Sequence, residues 1–236
     1  MPFEKIKDPK LGEYHWLGPI GNETVIAVRP SRESGQLIMG SIGRQGSAAK
    51  AIRFQEATGA NGIMQLGMAF GVNPSEQQLG DVLVSTALIP YDNREIVHGS
   101  ASVDDCIVDY SQALPQRARQ VLVDLLVREK QSQVHPYGVH VGVILSGSAR
   151  FRCARFRDEL VASVPAGKDP VIGGEMEVVG LLAASATSSA PIWCVVKGIS
   201  DFGDKERDHM IAEGRAIACR NAADFVLSAL ANDAPT

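Results

Sequence analysis

The chain has 236 residues, with 23 Lys and Arg against 27 Asp and Glu, a formal charge of −4. Hydrophobic residues make up 45% and charged residues 21%, which excludes a disordered polar chain. The slightly acidic balance argues against a dedicated nucleic-acid binder, which shows a basic excess on some face. No stretch approaches the ~20 apolar residues that span a bilayer, so neither nucleic acid nor membrane is expected as a partner. Met1 to Asp8 alternate charge with apolar side chains and hold no signal-peptide core. Cys106, Cys153, Cys194 and Cys219 are scattered without a C-x-x-C pair, which reads as free thiols in a reducing cytoplasm.

In chain order, Thr24–Val28 is a short β-branched strand ended by Pro30, and Ser47 to Thr58 has helical spacing and stops near Gly59. Ile63–Gly67 reads as a buried strand, followed by a Gly/Pro/Asn loop, Gly71–Pro74. Asp81–Ile89 is a strand ended by Pro90, and residues 116–130 carry Val121, Leu122, Leu125 and Leu126 in helical register. Val139–Leu145 is a strand, and a helix is expected from Glu175 to about Ser188. Ile192–Ile199 is almost continuously apolar, as a strand covered on both faces requires. A last amphipathic helix spans about Asp208 to Leu230, with Met210, Ile217, Phe225 and Val226 toward the core, and Asn232–Thr236 should fray. Strands alternating with helices imply an α/β fold, three layers α/β/α around a central mixed, largely parallel sheet. No repeat, linker or low-complexity segment divides the chain, so residues 1–236 read as one domain.

In such sheets ligands bind beyond the carboxyl ends of the strands, and five places qualify. Gly198-Ile199-Ser200-Asp201-Phe202-Gly203-Asp204 closes the most hydrophobic strand. A carboxylate in a dry crevice there has its pKa raised by desolvation and can act as a general acid; the alternative is a turn or cap made by Ser200 and Asp201. Gly173-Gly174-Glu175-Met176-Glu177 places two carboxylates in a helix's first turn, where the dipole favours them; one should face inward beside Met176 and need donors, which a sugar diol supplies. Gly40 to Ala49, with Gly43 and Arg44, is a glycine-rich turn opening a helix, either an anion cradle or a simple entry turn. Gly67-Met68-Ala69-Phe70-Gly71 is a small-residue strand end that admits a ligand close to the backbone. Ser146 to Phe151 brings a hydroxyl, the Arg150 guanidinium and the Phe151 ring to a fifth strand end. Arg44, Arg94, Arg150 and Arg152 are either surface arginines or receivers of a polyphosphate tail. Lys197 is either a strand-end snorkeller or a buried partner of Asp201 or Glu177. His135 and His140, five apart, suit no helix-face metal pair, and no metal site is expected.

Taken in order, these segments resemble the nucleoside phosphorylase superfamily, in its methylthioadenosine/S-adenosylhomocysteine nucleosidase-like branch, from about Tyr14 to Leu230. The sharpest parts are Gly174-Glu175-Met176-Glu177 and, 24 residues after Glu177, Ile199-Ser200-Asp201. Leu79-Gly80-Asp81-Val82-Leu83-Val84-Ser85 also matches, and the glycine-rich turn before Ala48 resembles that of phosphorylase-like domains attached to immune and signalling proteins. The resemblance implies cleavage of a purine N-ribosidic bond, with a purine nucleoside or nucleotide as partner and no cofactor, inorganic phosphate being a co-substrate in a phosphorylase. It implies that Asp201 is the acid serving N7, with Ser200 orienting it. Glu177 would hold the ribose hydroxyls, Met176 would pack on the sugar, and the base would lie near Phe151 or Arg150. Gly67, Met68 and Ala69, with Gly43 and Arg44, would form the glycine-loop or anion region. It also implies a homo-oligomer.

Three departures accompany the resemblance. The chain starts at the family's second strand, so the element supplying the water-activating acid or part of the phosphate site is missing, as in an N-terminally truncated domain. Met68 stands where many members carry Ser, which favours hydrolysis over phosphorolysis, and Ser148 stands where an acidic residue often follows Ser-Gly. The expectation is therefore a nucleosidase; the alternative is a catalytically weak nucleoside-binding effector module of a signalling or immune-type protein.

Overall fold

A computed structural model describes residues 3–29, 32–33, 36–37, 46–99, 106–185 and 191–233. The chain opens with β1 (Glu4–Asp8), β2 (Gly12–Ile20) and β3 (Glu23–Ala27), an antiparallel meander, followed by the short pair β4 (Arg32–Glu33) and β5 (Gln36–Leu37). Then come α1 (Ser47–Thr58), β6 (Ile63–Gly71), β7 (Val82–Pro90), the pair β8 (Glu95–His98) and β9 (Cys106–Asp109), and β10 (Gln116–Arg117). The remainder is α2 (Gln120–Ser132), β11 (Val139–Ser146), α3 (Ala154–Ser163), β12 (Val171–Glu175), α4 (Val179–Ser185), β13 (Trp193–Asp201) and α5 (Arg207–Asn232).

The central sheet is mixed, in the order β10-β7-β11-β12-β6-β13. Its long pairings, β11 with β7 and β13 with β6, are parallel, as is β11 with β12. The antiparallel contacts are short: two residue pairs between β12 and β6, two between β10 and β7, and three between β13 and β7. The last of these was not foreseen. It bends the sheet round so that β7, β11, β12, β6 and β13 form a closed ring. Closure explains why every residue of β13 is buried: this strand has neighbours on both sides and cover on both faces.

The core follows the apolar pattern. Leu83, Ile144, Trp193, Val195 and Phe225 belong to one cluster that joins the ring to α2 and α5, while Ile89, Leu145, Phe151 and Leu160 belong to a second beneath α3. The face of α5 toward β13 carries Gly214, Ala218 and Ala222. Small residues are required there, because a Cβ at Gly198 would run into the Ala218 backbone and a Cβ at Gly214 into the Ser200 carbonyl. Backbone therefore rests on backbone at the end of β13.

Several expectations are corrected. Glu175 ends a strand rather than opening a helix: Gly173, Gly174 and Glu175 pair with neighbouring strands, and α4 begins only at Val179. Ile217 is 40% exposed, and Val121 also faces out, leaving Val123, Leu125 and Leu126 to pack from α2. Asn232 lies within α5, and Asp233 is held by Asn22 (2.6 Å to its carbonyl) and Arg128 (2.9 Å to its carboxylate). α1 ends as expected, with Gly59 left-handed (φ 65°) and its N–H bonded to Gln55 O. None of the four cysteines is paired, and burial pushes the Cys194 thiol up to about 11. Among the described residues no helix is long and apolar enough to cross a membrane.

Gly198→Val should lower the unfolding free energy by about 1–3 kcal/mol through overpacking against α5. Urea denaturation reads this as a lower midpoint at unchanged slope; a wild-type midpoint would contradict the close helix–strand approach.

Candidate active site

The ends of β6, β12 and β13 converge. β12 meets β6 head-on only at its tip, Gly173 opposite Gly71 and Gly174 opposite Phe70. A Cβ at Gly174 would strike the Phe70 ring, so glycine is what lets these strand ends cross. β13 runs beside β6, and its register slips between Ile199, opposite Ala69, and Asp201, opposite Phe70. Ser200 is thus the extra residue of a bulge, a device that re-aims side chains. It turns both Ser200 and Asp201 into one crevice, although neighbours on a regular strand would point apart.

That crevice is open to solvent and has a cavity volume of about 40 Å3. Met68, Ala69 and Phe70 line it from β6, Gly174 to Glu177 from β12 and the turn after it, and Ser200 and Asp201 from β13. Ala149, Arg150 and Phe151 add a wall from the segment after β11, and Arg207 closes one side from the start of α5. Phe151 packs on Phe70 (ring centroids 5.0 Å), Tyr91 (5.7 Å) and Phe156 (5.4 Å), giving the wall an aromatic backing.

Asp201 is only 4% exposed. Burial raises its carboxyl above the usual aspartate range, opposed by the Gly203 N–H (2.9 Å to Oδ1), the Ser200 hydroxyl (2.9 Å to Oδ2) and the Arg207 guanidinium (3.7 Å). Ser200 Oγ also lies 3.2 Å from the Ala69 carbonyl. Its single hydrogen serves either that carbonyl or Asp201, and a protonated Asp201 can donate to the same oxygen.

The second carboxylate group is organised by Lys197, which is 2% exposed. Its ammonium lies 3.4 Å from Glu175 Oε2 and 3.5 Å from Glu177 Oε2. Glu175 is buried and accepts from the backbone N–H groups of Glu177 (2.8 Å) and Val178 (3.0 Å), so it caps the entry to α4. Burial raises its pKa, and the Lys197 charge pulls it back. Glu177 is half-buried, with its carboxylate at the crevice.

The wall segment is fastened from the end of β7. Tyr91 Oη donates to the Ala149 carbonyl (3.3 Å) and accepts from the Ala149 N–H (3.2 Å), and burial pushes its phenol far above the ordinary range. Asp92 Oδ2 accepts from both N–H (2.7 Å) and hydroxyl (2.8 Å) of Ser148. An acidic partner for this turn therefore comes from Asp92. At the far end of β7, Asp81 accepts from Gly138 N–H and Gln78 N–H and lies 2.9 Å from His140 Nε2, fixing where β7 and β11 start.

Strand ends gathered around two acidic stations are the arrangement expected from the motifs, and a family model described as the phosphorylase superfamily matches residues 5–231. The chain belongs to the phosphorylase superfamily. It is 25% identical over 244 residues to a death domain-containing ATP nucleosidase of Amphimedon queenslandica, a match taking in 98% of this chain and 44% of that protein. It thus spans less than half the length of that curated relative. Its fold is similar to the 5′-methylthioadenosine/S-adenosylhomocysteine nucleosidase of Neisseria meningitidis in complex with methylthio-immucillin-A (TM-score 0.73, 16% identity, 97% of this chain and 89% of that one). It is also similar to the futalosine hydrolase of Helicobacter pylori (TM-score 0.71, 20% identity, 97% and 87% covered).

In this phosphorylase-superfamily chain, Asp201, Ser200, Glu177, Met176, Phe151, Arg150, Met68 and Ala69 all line the one crevice. Gly67 does not: a Cβ there would meet the Lys197 ammonium, so this glycine clears space for the lysine. Gly43 and Arg44 lie outside the described residues. Arg94 pairs with Asp92 (3.3 Å) and Arg152 with Asp208 (3.1 Å), which leaves Arg150 as the one of these three that lines the crevice. Lys197 is the buried partner of Glu175 and Glu177, not of Asp201. Phe70 and Ala149 lie inside candidate segments without being named as site residues, Arg207 lies outside all of them, and the motifs placed Glu175 on a helix. The first strands, β1 to β3, pair only with one another among the described residues, and Glu13 is tied to Lys5 (2.8 Å).

Lys197→Met should cost about 3–5 kcal/mol, because it strands a buried carboxylate without its cation. The double variant Lys197→Met/Glu175→Gln should recover part of that loss in urea unfolding; independent, additive losses would mean that the two charges are not coupled.

Proposed function

We propose that this chain cleaves the N-ribosidic bond of a purine nucleoside or nucleotide and releases the free base, by hydrolysis rather than phosphorolysis. The observation that carries the reading is Asp201, a buried carboxyl with raised proton affinity that shares its crevice with Glu177. As the bond between C1′ and the purine nitrogen breaks, negative charge builds on the base, and Asp201 donates its proton to N7. A positioned acid of this kind contributes typically 10²–10⁴-fold. Ser200 holds the carboxyl through Oδ2. Glu177, kept in place by Lys197, accepts hydrogen bonds from the ribose hydroxyls, and its charge favours the cationic sugar that forms. Met176 packs on the sugar face, and the base lies along the Phe70–Phe151 wall. Water then adds to C1′ of the sugar cation and loses a proton, so that the proton Asp201 gave to the base is restored through solvent. Met68, an apolar side chain at the crevice, supports water over phosphate as the acceptor. The reaction so written uses no cofactor, and Arg150 is the group that meets a 5′-phosphorylated substituent. The same reading takes residues 1–236 as one cytoplasmic domain that assembles as a homo-oligomer.

Incubation with adenosine, methylthioadenosine, inosine and ATP, with and without phosphate, should release free base without phosphate, as read by chromatography. Asp201→Asn should lower kcat at least ~10²-fold while the melting temperature stays near wild type. Undiminished turnover in that variant sinks the assignment of the acid.

A further inference from the structure

Arg157 is the one buried arginine of α3, and none of the steps just described uses it. It lies in the first turn of that helix and is 4% exposed. A cation there is disfavoured twice, by the positive helix end and by the loss of water. Its carboxylate partner offers little relief: Asp158, next in sequence, accepts from Nε at 2.7 Å with a side chain that lies mostly in solvent. Nη1 instead donates to the Phe202 carbonyl. That carbonyl and the Gly203 N–H belong to one planar peptide group, and its two ends point in opposite directions. The N–H end donates to Asp201 Oδ1 at 2.9 Å. A single peptide unit therefore stands between a buried guanidinium and the buried carboxyl.

We propose that Arg157 is a positioning residue for Asp201 that acts through this peptide: it pins the Phe202 carbonyl and so keeps the Gly203 N–H aimed at the carboxyl. The inference rests on reading Asp201 as the acid. The pin is needed because of the glycine. Gly203 is left-handed (φ 62°), and a Cβ there would press on Phe151 Cβ at 3.2 Å. The turn thus takes the residue that populates φ of either sign most freely. Without Arg157 the peptide can turn over, which brings a carbonyl oxygen instead of an N–H toward Oδ1. With Arg157 in place, the bond to the carbonyl also polarises the peptide and strengthens its N–H as a donor. That N–H orients the side chain and supports the carboxylate left when the proton departs. The other groups facing Asp201 are the Ser200 hydroxyl, Arg207 at 3.7 Å and the like charge of Asp204. Lys197, Glu175 and Glu177 are engaged with one another.

Base release measured across pH tests the pin. In Arg157→Gln, shorter and uncharged, kcat should fall about 10-fold while KM stays within ~3-fold of wild type. The carboxylate then loses its backbone donor, the proton is held more firmly, and the alkaline limb of kcat/KM moves to higher pH. Arg157→Lys keeps a charged donor and should return both kcat and the limb toward wild type. Asp158→Asn, which removes only the exposed partner of the guanidinium, should leave both unchanged. A lowered melting temperature with wild-type kcat and limb in Arg157→Gln overturns the proposal and makes Arg157 a packing element of α3. An effect confined to KM, or an equal loss in Asp158→Asn, overturns it too. Should Arg157→Gln not fold, NMR of wild type carries the test: the Gly203 amide and Arg157 Nη protons should shift together over the pH range of the alkaline limb. A Gly203 shift without the Arg157 shift overturns the link. These outcomes leave the proposed reaction standing, whereas no base release by wild type, or full release by Asp201→Asn, overturns that reading and this inference with it.

Discussion

A lysine ammonium sealed between two glutamates is the constraint on which the rest of this crevice depends. Lys197 sits in the interior of β13 and reaches Glu175 and Glu177 at the tip of β12. A buried charge is tolerated only when paired and hydrogen-bonded. The demand is met by Glu175, whose carboxylate also receives two backbone N–H groups at the entry to α4. One ionic contact thereby couples the middle of one strand, the end of another and the start of a helix. Glu177 is left at the crevice with a cation behind it, which orients it without neutralising the site as a whole.

Topology supplies the second half of the arrangement. Strands of a parallel set would present their ends side by side; here β12 meets the end of β6 from the opposing direction and overlaps it by two residue pairs. The overlap is possible because glycines occupy the crossing, and its product is a crevice lined from several directions. The bulge at Ser200 then sends two adjacent polar side chains into the same space. Electrostatics follows from placement. Asp201 lies buried beside the Phe70 and Phe151 rings, where burial raises the proton affinity of its carboxyl, whereas Glu177 lies nearer to water and beside an ammonium.

The strongly periodic or wholly apolar segments could be read from the amino-acid order: α1 with its Gly59 stop, the apolar β13, and the long α5. The two acidic motifs were also readable, because Glu177 and Asp201 each follow a distinctive run of small or apolar residues. What was not readable had physical reasons. β12 is only five residues long and contains Gly173 and Gly174, so it carries no period, and its end was assigned to the helix that follows. α3 buries little beyond Leu160 and an arginine, Arg157, whose guanidinium donates to the Phe202 carbonyl; charged residues hid its apolar stripe. The outward position of Ile217 depends on Gly214 and Ala218 taking the strand-facing side of α5, a preference for small residues that a hydrophobic stripe cannot express. Arg207 became part of the site through the turn between β13 and α5, whose path no local spacing encodes.

The ring is sealed by its last strand. β6 and β7, which flank β13, lie more than a hundred residues earlier in the chain. During synthesis those two strands must wait, with their hydrogen-bonding groups unmatched, until Trp193–Asp201 leaves the ribosome and inserts between them. Such distant pairing makes closure a late and slow event. Since Asp201 is carried on the inserting strand, the emerging polypeptide gains this buried carboxyl in the same step that completes the ring, and a half-built ring has no crevice lined from all its sides.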